Sequence, residues 1–129
     1  MKTICYLIAI LLLANACSTA QPNSKEQILH GWLSDEQCAR GRASSGVYTG
    51  TNPTCAKECV TAGKKIVFID PDAKRVLLIS NQAVAKNNVG DQVEIVGVLD
   101  SQAKSIQVTS VKLLEHGVAM CARPQKGEQ

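Results

Sequence analysis

Five short apolar stretches confine this chain to a small β-architecture. They read "EQILHGWLS" (26–34), "IVFID" (66–70), "RVLLIS" (75–80), "QVEIVGVLD" (92–100) and "SIQVTSVKLLE" (105–115). In the first, Leu29, Gly31 and Leu33 share one face, while Ile28, His30 and Trp32 share the other, the period of two that marks a strand. Gly31 inside a strand marks a bend or a close backbone approach. "DPDAK" is a tight turn, so the second and third stretches form a hairpin. In the last stretch Ile106 and Val108 alternate, and the pattern resumes at Val111 and Leu113. The phase therefore slips by one residue at Thr109–Ser110. An uncorrected slip would turn every later side chain to the wrong face, so the pattern predicts a β-bulge there.

The connecting segments complete the outline. Ser34-Asp35-Glu36 reads as a turn that ends the first strand and caps a brief helical turn toward Cys38. Residues 39–54, rich in Gly, Ser, Thr, Arg and Asn, read as a long surface loop. Thr54 then caps a short helix, "CAKECVTA", which Gly63 closes as a left-handed C-terminal cap. A second short helix, "NQAVAKN" (81–87), is capped by Asn81. The order is strand, helix, strand, strand, short helix, strand, strand, which matches the OB-fold, a partly open five-stranded barrel. The expected fold is mainly β: a small five-stranded OB-like barrel over residues 26–115, with a cysteine-bearing loop and short helix inserted after strand 1. Residues 116–129 form a polar C-terminal tail.

The N-terminus sets the compartment. Met1-Lys2 gives a short positive start, and Thr3 to Ala14 is almost unbroken apolar sequence. That run falls short of the roughly 20 residues of a membrane span and has the length of a signal-peptide core. "LANAC" resembles a bacterial lipoprotein signal, with residues 1–16 removed, Cys17 lipidated and 17–25 a flexible tether. The alternative is ordinary secretion with cleavage after Ala20. Either route exports the domain, to a lipid-anchored place in the envelope or to the periplasm or exterior. The only membrane contact expected is the lipid on Cys17. The formal charge of +3 is too small to steer the chain toward nucleic acid. Past the leader only Trp32, Tyr48 and Phe68 are aromatic, so a stacking platform for bases is missing and no nucleic-acid partner is expected.

Six cysteines are present. Cys5 belongs to the leader and Cys17 to the lipidation signal. The remaining four, Cys38, Cys55, Cys59 and Cys121, are an even set in an oxidising compartment, which favours disulfides. The pairing is open. Cys55 and Cys59 lie one helical turn apart and suit other partners better than each other. Cys38 is a natural partner for one of them, and Cys121 for the other. The alternative is a metal site in which Cys38, Cys55 and Cys59 hold copper or zinc, with Cys121, His30 or His116 as a fourth ligand. A redox role would need a Cys-x-x-Cys in a thioredoxin-like setting, which is absent. The two histidines build no Ser-His-Asp arrangement. The glycines build no phosphate cradle, and Arg40 and Arg42 read as a solvated loop. No catalytic residue and no cofactor is expected.

Three segments, "GWLSDEQC" (31–38), "TCAKECVTAGKKIVFI" (54–69) and "VGDQVEIVGVLDSQAKSIQVTSV" (89–111), resemble a family of small secreted bacterial domains of unknown function. Its pattern runs Gly-aromatic-x-Ser-Asp-x-x-Cys, then Cys-x-x-x-Cys-Val-x-x-Gly, then Gly-x-x-Val-x-Val-x-Gly. The resemblance implies an OB-like fold and supplies no activity. Ala39 stands where the family usually has Gly, and Asn52 stands near a position that often carries His. The function expected is therefore an exported, non-catalytic binding or structural module held by disulfides, with an unknown envelope ligand or protein as partner. The alternative is a periplasmic metal-binding protein using Cys38, Cys55 and Cys59.

Overall fold

A computed structural model describes residues 25–118. The leader, Cys17 and Cys121 lie outside the described residues. The elements are β1 (Gln27–Asp35), α1 (Glu36–Ala43), α2 (Pro53–Thr61), β2 (Ile66–Asp70), β3 (Arg75–Ile79), a 3-10 helix (Gln82–Asn88), β4 (Gln92–Leu99) and β5 (Ser105–Glu115). The sheet closes into a ring in the order β1-β2-β3-β5-β4. β1 pairs antiparallel with both β2 and β4, and β3 meets β5 in parallel. The domain is thus mainly β and OB-like, as the order of elements predicts.

The ring is filled by Leu33, Phe68, Leu77, Ile79, Val93, Ile95, Ile106 and Val108, all buried. At Gly31 the chain passes close to its neighbour: a Cβ there would sit 2.0 Å from the Ile69 carbonyl oxygen. Any side chain would push β1 off β2, which accounts for the glycine in mid-strand. The predicted bulge is present. Val96 faces Ser110 and Gly97 faces Val108, leaving Thr109 as the extra residue. A second irregularity, near Leu114 where Gln92 faces Glu115 and Val93 faces Leu113, has no counterpart in the sequence reading.

Every residue of β2 is buried. One face lines the ring. The other joins Ala39, Val67 and Ile69 to Trp32, Tyr48, Val76 and Leu78 in a second apolar cluster outside it. α1 supplies Ala39 to that cluster, and this corrects the reading of 39–54 as a single long loop. Asp35 is a full N-cap, its carboxylate accepting from the Cys38 backbone N–H, and Arg40 and Arg42 stand in the last turn where cations favour a helix C-terminus. Gly41 and the following serines hide that helix from composition alone.

Two other caps differ from expectation. α2 begins earlier, with Asn52 as the cap: its Oδ1 accepts from Thr54 N (2.9 Å) and Cys55 N (3.3 Å), and Pro53 takes the first helical position. Its end is as read, with Gly63 at φ +99° and the Lys64 N–H donating to the Cys59 carbonyl. Asn81 does not cap the 3-10 helix. Its amide instead donates to Val108 O (2.7 Å) and accepts from Val108 N (2.9 Å), pinning the helix to β5 beside the bulge. A side chain that replaces a missing strand partner serves the ring better than a cap on a helix of this length.

Candidate functional site

Two places on the domain carry chemistry, and β1 contributes to both. The first is a corner where β1 runs into α1. Asp35 ends β1, caps α1 and is fully buried. The N-cap position and the third helical residue lie on one side of the first turn, so the Asp35 carboxylate and Cys38 meet through local geometry. The pairing of β1 with β2 and the packing of α2 beneath β1 bring a third group from a distance, Cys59 in the last turn of α2. One donor atom from each of Asp35, Cys38 and Cys59 lies within 4.8 Å of the other two. Asp35 Oδ1 accepts from Cys38 N at 2.9 Å, while Oδ2 is buried with no hydrogen-bond partner. The Cys38 thiol is pushed up to about 11, first by burial, then by the adjoining negative carboxylate of Asp35, and then by the Cys59 thiol.

The expected cysteine set is therefore only partly assembled. Among the described residues no disulfide joins Cys38, Cys55 and Cys59, and Cys55 is exposed and stands outside the cluster. Asp35 takes the place assigned from sequence to Cys55. Neither histidine approaches: His30 Nε2 pairs with Glu94 Oε2 across β1 and β4 at 2.8 Å, and His116 turns to Asp91. Cys121 lies outside the described residues. The signal available in sequence was Asp-x-x-Cys at a helix start. The contribution of Cys59 has no local signal, because it depends on how α2 docks.

The second place is an open cleft of about 420 Å³ lined by Trp32, Thr49, Thr51, Gln92, Glu115 and His116, among others. Trp32 lies on the outer face of β1, as its alternation predicts, and a Cβ added at Gly50 would come within 2.7 Å of its indole Cδ1. Arg42 shapes this wall. Its guanidinium donates to the Gly50 carbonyl and, at 2.9 Å, to Thr49 Oγ1, so it braces the loop after α1 instead of lying free in solvent. Ser34 and Thr51 share a buried hydroxyl–hydroxyl hydrogen bond that ties the same loop to β1. Buried Asp91 fixes the opposite wall, accepting from Gly117 N at 2.9 Å and facing His116 Nδ1 at 3.4 Å. The sequence reading took His116 as part of a loose tail and found none of these contacts.

Together these features define a small OB-like β-domain whose insertion between the first two strands contributes to both candidate sites. No family model, curated protein or solved structure matches the chain.

Proposed function

We propose that the chain is an exported, non-catalytic binding module whose ring is a scaffold for a cleft that takes a neutral oligosaccharide. The observation that carries this reading is the placement of the chain's single tryptophan, Trp32, in the cleft beside an amide and a carboxylate, Gln92 and Glu115. A pyranose ring offers an apolar C–H face to an indole and hydroxyls to groups of that kind. OB-folds bind oligosaccharides with the loop after their first strand, the loop that supplies Thr49, Gly50 and Thr51 here; that support is an analogy of fold. The leader at 1–16, a lipid on Cys17 and an envelope location belong to the same proposal, and they would put the domain next to such glycans.

Trp32 makes the test direct, since all indole fluorescence comes from the cleft. Oligomers of N-acetylglucosamine titrated into the full chain should give a saturable fluorescence change with matching heat by calorimetry. Gln92→Ala and Glu115→Ala should each weaken it roughly tenfold, in line with losing one hydrogen bond to a bound polar group. A chain that shows neither signal at millimolar glycan has a different ligand.

A further inference from the structure

Three groups that are each negative when deprotonated meet at the end of β1, and among the described residues no cationic side chain joins them. The other two buried aspartates of the ring each face a basic side chain, Asp70 an arginine and Asp91 a histidine. Burying a carboxylate oxygen without any partner costs free energy, so the corner lacks a positive group that the rest of the molecule supplies elsewhere. Joining Cys38 to Cys59 in a disulfide would consume both thiols and still leave Asp35 Oδ2 unpartnered. A cation would satisfy all three groups at once.

We propose that Asp35, Cys38 and Cys59 form a binding site for a thiophilic divalent cation, namely zinc. Two Zn–S bonds and one Zn–O bond form, the two thiol protons pass to solvent, and a water completes the tetrahedron at the half-buried edge of the site. Zn–S bonds of about 2.3 Å and Zn–O bonds of about 2.0 Å put tetrahedral ligands roughly 3.5–3.8 Å apart. The donors already lie within 4.8 Å of one another, so small side-chain rotations suffice. The mixed donor set selects the metal. Copper(I) is satisfied by two thiolates, whereas a hard carboxylate oxygen beside them suits zinc. Cys38 and Cys59 come from separate helices, so the ion would tie α1 to α2 across the insertion.

The test is zinc titration of the reduced full chain against a chromophoric chelator, with near-ultraviolet circular dichroism to confirm each variant folds. Wild type should take up one equivalent. Cys59→Ser should weaken binding roughly hundredfold and Asp35→Asn roughly tenfold, as expected for loss of a ligand. Asn can still cap α1, so Asp35→Asn isolates the carboxylate charge. Cys55→Ser should change nothing. The proposal is overturned if folded, reduced wild type takes up no zinc, or if Cys55→Ser weakens binding as much as Cys59→Ser. A parallel copper(I) titration separates the metals: tight copper(I) binding indifferent to Asp35→Asn, with zinc binding equally indifferent, would remove Asp35 from the site and overturn the three-donor account.

Discussion

Asp70 and Asp35 end neighbouring strands of one ring, and both are buried, yet they are stabilised in different ways. Asp70 sits at the β2–β3 turn. Its Oδ2 receives Arg75 Nε at 2.9 Å and its Oδ1 receives the Ala73 N–H at 3.1 Å, so both oxygens are matched within five residues of sequence. Asp35 has one oxygen matched by the Cys38 N–H and the other unmatched, with two thiols in place of a guanidinium. A complete local ion pair closes a turn. An incomplete one, built from parts distant in sequence, leaves a vacancy of charge. We take that difference as the mark separating a structural carboxylate from a ligand.

The comparison is broken most severely by removing the arginine. Arg75→Ala turns Asp70 into a second buried carboxylate without a cation. It should cost about 3 kcal/mol in denaturant melts, the lower end for breaking a buried pair, because the Arg75 side chain is about a quarter exposed. A loss below about 1 kcal/mol would mean that burial places no such demand on a carboxylate in this ring.

A second contrast lies in thiol reactivity. In metal-free, reduced protein at pH 8, Cys55 should alkylate first and Cys38 last. Raising the Cys38 thiol from 9.0 to about 11 lowers its thiolate population at that pH roughly hundredfold, since only the deprotonated form reacts. Asp35→Asn removes the neighbouring charge and should speed Cys38 while leaving Cys55 unchanged. Equal rates at Cys38 and Cys55 in the native chain would contradict the geometry of the corner.

The smallest effect is the most diagnostic in sign. Without metal, Asp35→Asn should leave stability unchanged or raise it by up to about 1 kcal/mol, because it keeps the cap and removes an unpaired buried charge. The same change at Asp70 should destabilise. A clear loss at Asp35 would place it with Asp70 as a structural residue.

Much of the ring was legible in sequence. The alternation of Leu29, Gly31 and Leu33, the "DPDAK" hairpin and the phase slip at Thr109 are local patterns, and each has one physical solution. Only the first turn of α1 was legible, because Gly41 and the serines that follow mask the rest of a helix that covers the outer face of β2. The cap of α2 was misplaced by two residues, since Thr54 and Asn52 are both good caps and only Pro53 breaks the tie. The candidate site divides the same way. Asp-x-x-Cys is visible as the start of a helix, whereas the approach of Cys59 and the hold of Asp91 on Gly117 depend on packing that no short window contains. Distance along the chain separates what could be read from what could not.

The most direct measurement is a disulfide map of the chain recovered from the cells that make it. Thiols would be trapped by alkylation in denaturant with a zinc chelator, followed by non-reducing digestion and mass analysis. Cys38 and Cys59 should both be recovered alkylated, with protection of the pair when zinc is left in place under native conditions. Recovery of a Cys38–Cys59 cross-linked peptide would contradict it and make the corner a covalent staple between α1 and α2.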